Sequence, residues 1–203
     1  MRRPGSNQRL RLSIFLLGML IAVASVRAED VPRGANASVA AADEFALKIS
    51  LDANEVSGVA TASIRIHATK QVLWDVLTSC TEALQIVPGL KFCSVEETAS
   101  DQSWQRIRQV MEYAWFTPRV SYEVLASYNK PNDIAFERVA GDPVRLRGSW
   151  GLQSDGEYTV ANYMLEFAPG FWMPRWFLRA ALKRDLPKML RALRAHAEAG
   201  RTG

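Results

Sequence analysis

The stretch PRWFLRAALKRDLPKMLRALRAHAE, residues 174–198, is the part of the chain that decides the fold class. Its apolar residues recur every three or four positions from Leu178 to Ala197, which predicts one amphipathic helix with a single apolar face. Pro174 suits the first turn of this helix. Pro187 falls inside the pattern and removes one backbone donor, so we expect a kink or a break there. Such a helix needs an apolar partner surface earlier in the chain.

That surface is predicted to be a sheet, because strand-like runs bounded by turn residues precede the helix. Between alternating segments, Asp155-Gly156 is the clearest hairpin signal. The runs cover 45–51, a segment ending in 62–67, 90–97, 104–116, 119–128, 133–139, 145–153 and 158–168.

Two short helices are predicted between the second and third runs. Thr69 can cap a helix over 70–78, and Ser79 with Glu82 has capping-box spacing for a second helix, which Pro88-Gly89 ends. The fold class is therefore α+β: a curved antiparallel sheet of about six to eight strands wrapped around a long C-terminal helix. Because one helix cannot cover a wide curved sheet completely, we expect a cavity between them.

Several segments in this order resemble the START-like (SRPBCC) superfamily, and within it the coenzyme Q-binding and polyketide cyclase/dehydrase-like proteins. The resemblance implies a helix-grip fold with a site for an apolar ligand. It implies no catalytic residue, since relatives of this fold differ in activity. The segments are ASIRIHATKQVLWDVL (62–77), LQIVPG (84–89), GSWGL (148–152), YTVANYML (158–165) and MPRWFLR (173–179).

The N-terminus indicates export. Four arginines in residues 1–11 precede the apolar run LSIFLLGMLIAVASV, which predicts a secretory signal peptide over residues 1–28 or, alternatively, an uncleaved membrane anchor. Residues 29–44 are predicted to be a flexible leader, residues 45–198 the ligand-binding domain, and residues 199–203 a disordered tail. The predicted location is the periplasm.

Charge excludes one class of partner. All 21 acidic residues lie after residue 28, whereas five of the 25 basic residues lie before it, so 20 basic residues face 21 acidic ones in the exported part. A basic pI of about 9.3 therefore reflects the signal segment, and we predict no nucleic-acid partner.

Specific enzyme signals are missing from the sequence. It holds no G-x-S-x-G, phosphate loop or H-E-x-x-H motif, and its two histidines, His67 and His196, lie in separate elements. We predict no cofactor and no metal site. Cys80 and Cys93 are either joined, as an oxidising compartment permits, or are two small buried apolar residues.

Aromatic and sulfur-containing side chains are the candidate ligand contacts, because they offer large, adaptable apolar area. The alternative is that they simply fill a core. Phe171 to Phe177 crowd the helix entrance, which suggests a gate. Gln109 or Arg138 could orient a polar head group. The predicted cavity or gate residues are Met111, Tyr113, Trp115, Phe136, Trp150, Tyr163, Trp172, Trp176 and Phe177.

The closing helix is basic and begins beside these aromatics. Arg175, Arg179 and Lys183 are predicted to face an anionic membrane, although the same charges suit a solvated helix face or docking on the acidic body of the protein. The leading hypothesis is a periplasmic carrier of a lipid, quinone or other isoprenoid. One alternative is a polyketide cyclase/dehydrase-like enzyme, in which Glu112, Tyr113 or Tyr163 could transfer protons. Another is a ligand-free interaction module of the cell envelope.

Overall fold

A computed structural model describes residues 45–53, 56–112 and 118–200. The predicted signal peptide and leader, and residues 201–203, lie outside these residues and stay predictions. The elements are β1 (Phe45–Leu51), β2 (Gly58–Ile66), α1 (Lys70–Thr78), α2 (Cys80–Ile86), β3 (Leu90–Thr98), β4 (Trp104–Met111), β5 (Val120–Asn129), β6 (Asp133–Gly141), β7 (Arg145–Asp155), β8 (Tyr158–Ala168) and α3 (Arg175–Ala199).

The strands form one antiparallel sheet in the order β1-β2-β8-β7-β6-β5-β4-β3. The predicted hairpin at Asp155-Gly156 is present, with Asp155 opposite Tyr158 and Gly156 in the left-handed region at φ 63°. The α+β helix-grip architecture predicted from the sequence is thus confirmed.

The apolar face of α3 packs on one half of this sheet. Its direct contacts with strands are concentrated on β1 and β2. Leu190 and Leu193 are fully buried there with Ile64 and Ile66, and full burial of each such side chain contributes about 1.5–3 kcal/mol. The helix therefore leaves the strands from β4 to β8 less closely covered.

Of the kink or break predicted at Pro187, the break is absent, because the helix continues without interruption from Arg175 to Ala199. Leu186 and Met189, which flank the proline, are both buried. Their packing holds the helix together across the missing backbone donor. The helix also extends one residue into the predicted tail.

The strand registers place several connections at one end of the sheet. Leu51 pairs with Gly58, Gly58 with Phe167, and Leu146 with Phe167. The β1–β2, β6–β7 and β8–α3 connections therefore lie together, and we call this side the loop end. At the opposite end, the backbone N–H of His67 donates to Oε1 of Glu198, which fastens the last turns of α3.

Candidate functional site

A cavity of about 260 Å³ lies between α3, the two short helices and strands β4 to β8. Its wall is mostly apolar, with a few polar side chains among the apolar ones. It is lined by Val76, Leu77, Ala83, Ile86, Val87, Pro88, Ile107, Gln109, Met111, Tyr122, Val124, Ala126, Tyr128, Ile134, Phe136, Leu146, Trp150, Tyr163, Leu165, Phe167, Met173, Phe177, Leu178, Ala181, Leu182, Asp185, Leu186 and Met189.

Strand alternation builds the sheet side of the wall. On β5, Tyr122, Val124, Ala126 and Tyr128 all face the cavity, because every second side chain of a strand points to the same face. Sequence analysis missed Tyr122 and Tyr128, although this alternation could have identified them. Both residues carry a hydroxyl group, so β5 brings polar as well as apolar side chains to the wall.

Aromatic packing shapes the middle of the sheet side. The rings of Trp150 and Tyr163 are 4.4 Å apart on neighbouring strands, tilted by 34°. Phe136 lies opposite Gly148 in the register of β6 and β7. The absence of a side chain at Gly148 leaves room for the Phe136 ring against the sheet.

The polar group of Tyr128 is held by the protein itself. Its hydroxyl donates to Oε1 of Gln105 at 2.8 Å, and its ring meets Trp74 edge-on at 5.6 Å. Burial raises the pKa of Tyr128 from 10.0 to about 12, because the charged phenolate is poorly solvated there. The Tyr128 hydroxyl is therefore neutral under ordinary conditions.

Asp185 is a wall residue that sequence analysis did not identify. It lies on α3 between Leu182 and Leu186, and its carboxylate is 18% exposed. The Arg184 guanidinium donates to both carboxylate oxygens, at 2.7 and 2.8 Å. This pair places a compensated carboxylate on an otherwise apolar helix face.

A disulfide bond lies next to the cavity-lining residues of α2. The Sγ atoms of Cys80 and Cys93 are joined, with their Cα atoms 5.3 Å apart. The bond links the start of α2 to β3, and the amide nitrogen of Gln109 lies 3.9 Å from Cys93 Sγ. Ala83 and Ile86, which follow on α2, are thereby held at the cavity.

The residues predicted as ligand contacts fall into different places. Those on the cavity wall are Met111, Phe136, Trp150, Tyr163 and Phe177. Tyr113 and Trp115, in contrast, lie outside the described residues.

Trp172 and Trp176 are not part of the wall. They are 86% and 71% exposed, beside the β8–α3 connection at the loop end. The Trp176 ring meets Phe177 edge-on at 5.9 Å, so it touches a wall residue from outside. Trp176 therefore borders the cavity, and neither tryptophan fills it.

The predicted membrane-facing bases are all exposed, but their surroundings differ. Arg175 donates to the backbone carbonyls of Asp52 and Ala53, which ties α3 to the β1–β2 connection. Arg179 and Lys183 lie one and two turns further along α3. Arg138 is not a wall residue; it donates to the carbonyl of Gly141 at 2.9 Å.

The chemistry within reach of the cavity is limited. His67 stacks on Tyr158 and His196 pairs with Glu82, and neither imidazole is on the wall. Glu112 pairs with Arg119. Within residues 45–53, 56–112 and 118–200 no cluster of histidine, cysteine or acidic groups could hold a metal ion. No helix in that same part of the chain is long and apolar enough to cross a membrane.

Comparison with known sequences identifies the family. The profile described as polyketide cyclase / dehydrase and lipid transport matches residues 66–194, from the end of β2 to the last turns of α3. The chain belongs to this family. No curated protein matches the sequence.

Solved structures share the fold. The STAR-related lipid transfer protein from Xanthomonas axonopodis is 16% identical, with a TM-score of 0.66 over 77% of this chain and 94% of that one. The Zhui aromatase/cyclase from Streptomyces is 18% identical, with a TM-score of 0.60 over 70% and 94%. A START superfamily protein from Mycobacterium smegmatis is 15% identical, with a TM-score of 0.60 over 70% and 97%. At these identities the likeness concerns the fold.

Proposed function

We propose that this protein is a periplasmic carrier that binds a lipid-like molecule, such as a quinone or another isoprenoid, in the cavity beneath α3. The observation that carries the proposal is the mostly apolar wall around 260 Å³ of space. An apolar cavity of about 150 Å³ already binds benzene. Affinity would come from burial of ligand surface, at about 25 cal/mol per Å² before the costs of binding.

Family membership supports a hydrophobic ligand. The family description includes lipid transport, and the Xanthomonas structure of the same fold is named a lipid transfer protein. Both give precedent for an apolar molecule in this fold.

Two observations support export to the periplasm. The signal-like segment over residues 1–28 precedes the domain in the sequence. The bond between Cys80 and Cys93 suits an oxidising compartment, whereas cytosolic thiols are generally kept reduced. An uncleaved segment that anchors the domain to the inner membrane is the alternative.

Contact with a membrane would give the ligand a route into the cavity. Trp172 and Trp176 expose large indole rings at the loop end, and such rings favour the interface between lipid and water. Arg179 and Lys183 add positive charge beside them, which anionic lipids attract. In this proposal the loop end rests on the bilayer and the β8–α3 connection acts as the gate.

The test is whether a ligand co-purifies and whether the cavity holds it. The protein would be purified from the envelope fraction of its own host and studied by native mass spectrometry and solvent extraction. We expect one lipid or quinone in near-stoichiometric amount. A ligand-free protein that also ignores quinones and phospholipids would reject the carrier and favour the ligand-free envelope module.

Two neighbouring alanines on α3 provide a matched pair for the cavity. Ala181 lies on the wall, whereas Ala180 is exposed. Ala181→Trp should fill the space and exclude the ligand, and Ala180→Trp should leave it bound. Equal ligand content in the two variants would place the ligand elsewhere.

An enzyme of the polyketide cyclase kind is the second candidate. It is favoured by the cyclase / dehydrase part of the family description and by the acidic and phenolic groups of Asp185, Tyr122 and Tyr163 on the wall. Turnover of a polyketide-like chain by the wild-type protein, lost in Ala181→Trp and retained in Ala180→Trp, would decide for it.

A further inference from the structure

The wall of the cavity contains a carboxylate where the helix pattern would place an apolar residue. On α3, Leu178, Leu182, Leu186 and Met189 line the cavity at successive turns, and Asp185 lines it among them. A carboxylate on an apolar wall is costly unless its oxygens are satisfied. Its presence there needs a partner from the protein, from water or from a ligand.

Arg184 supplies only part of that partnership. Its guanidinium makes one bond to each carboxylate oxygen of Asp185, while each oxygen has capacity for a further hydrogen bond. The Arg184 side chain is 50% exposed, whereas Asp185 is 18% exposed. The pair is therefore neutral overall, and of its two members Arg184 is the more exposed while Asp185 lines the cavity.

We infer that Asp185 selects, among lipid-like ligands, those that carry a neutral hydroxyl group. This inference rests on the proposed binding function. When a ligand displaces water from the wall, an ionised carboxylate can only accept hydrogen bonds, so a hydroxyl satisfies it. A hydrocarbon or an ether offers no donor to the acceptor sites that Arg184 leaves open, and a fatty acid brings a second negative charge against the carboxylate.

Other polar side chains of the wall make this distinction more weakly, because they are neutral and hydrogen bonds to charged groups are the stronger ones. The Tyr128 oxygen, whose hydrogen is donated to Gln105, and the carbonyl of Gln109 can each accept from a ligand, but as uncharged groups. The indole N–H of Trp150 is only a donor, so it does not favour a hydroxyl over an ether oxygen. Asp185 is the charged acceptor among the wall residues given above. For an isoprenoid quinone, the reduced quinol would be the bound form, because its two phenolic hydroxyls donate and the oxidised ring cannot.

The test uses two probes that differ by one methyl group, geranylgeraniol and its methyl ether. Binding is measured by equilibrium dialysis and checked by the change in intrinsic tryptophan fluorescence, to which the wall residue Trp150 contributes. We expect the wild-type protein to bind the alcohol at least about tenfold more tightly than the ether, the range for a hydrogen bond to a charged group. In Asp185→Leu we expect the two affinities to become equal through tighter binding of the ether.

Arg184→Leu is the matched control, since it breaks the same ion pair and keeps the acceptor. It should retain the preference for the alcohol. Asp185→Asn keeps the size of the side chain, and its amide can donate to the ether, so it should reduce the preference without loss of fold. Equal affinities in the wild type, or a preference that survives Asp185→Leu, would overturn the inference and leave the carrier proposal intact. Failure of both probes to bind would reject lipid binding itself, and the inference with it.

Discussion

Gly148 lies beneath the ring of Phe136, and a Cβ atom at Gly148 would come within 2.5 Å of Phe136 Cζ. The two residues are opposite each other on β7 and β6. The same Cβ would also collide with the backbone carbonyl of Met164. One wall of the cavity thus depends on the smallest residue at a single position of the sheet.

Gly148→Ala should therefore destabilise the domain by about 1–3 kcal/mol, the usual cost of overpacking, and displace Phe136 toward the cavity. Thermal melts and ligand titration would measure the two effects. Gly151→Ala on the same strand is the control, because a Cβ there meets only Asp133 Oδ1 at an ordinary 3.7 Å. Similar losses of stability and of ligand affinity in both variants would mean that the glycines matter for strand twist and not for the placement of the Phe136 ring.

Loss of the disulfide should lower stability and loosen one side of the cavity. The bond closes a loop with a sequence separation of 13, and a loop of this size is worth about 3 kcal/mol in the chain-entropy account. Cys80→Ser/Cys93→Ser should melt at a lower temperature than the oxidised wild type. Reduced wild type should melt like the variant; if reduction has no effect on melting, the bond does not stabilise the native state.

Alkaline pH should destabilise the folded protein through Tyr128. Its pKa is about 12 in the folded state, above the ordinary value of 10.0. The unfolded chain therefore loses this proton first, so the contribution of Tyr128 to stability is complete below pH 10 and falls as the pH rises toward 12. Tyr128→Phe should show a smaller fall over that interval. Identical pH profiles for the two proteins would mean that Tyr128 ionises as freely as an exposed tyrosine.

Membrane contact can be tested with the exposed tryptophans. Trp172→Ala/Trp176→Ala should reduce sedimentation with phosphatidylglycerol vesicles by roughly tenfold or more, since each indole would lose its burial at the interface. Trp104→Ala is the control, because Trp104 begins β4 at the end of the sheet opposite the loop end. Equal losses in the two proteins would contradict docking by the loop end.

The contribution of charge needs a separate comparison. Arg179→Gln/Lys183→Gln should weaken binding to anionic vesicles and leave binding to phosphatidylcholine unchanged. Lys48→Gln/Lys188→Gln removes the same charge from exposed positions away from the loop end. If both pairs weaken binding equally, net charge and not a defined surface attracts the protein.

Much of the fold was predictable from local patterns. Alternation along a strand and the three-to-four spacing of α3 depend only on residues close together in the sequence, so they predicted the order of the elements. The same alternation selected Met111, Phe136, Trp150 and Tyr163, which lie on the wall. The break considered at Pro187 is absent, since the helix is held by packing that a local pattern does not contain. Asp185 was missed because an isolated acid on a basic helix looks like a surface charge.

The sequence by itself determined the α+β plan, the apolar face of α3 and the candidate aromatics, because these depend on periodicity within a few residues. Tertiary structure alone decided that Cys80 and Cys93 meet and that Asp185 lies at the cavity. It also decided that Trp172 and Trp176 stay outside while Phe177 turns in. Each of these depends on how distant elements pack, since the direction in which α3 crosses the sheet selects which side chains meet the cavity and which meet solvent.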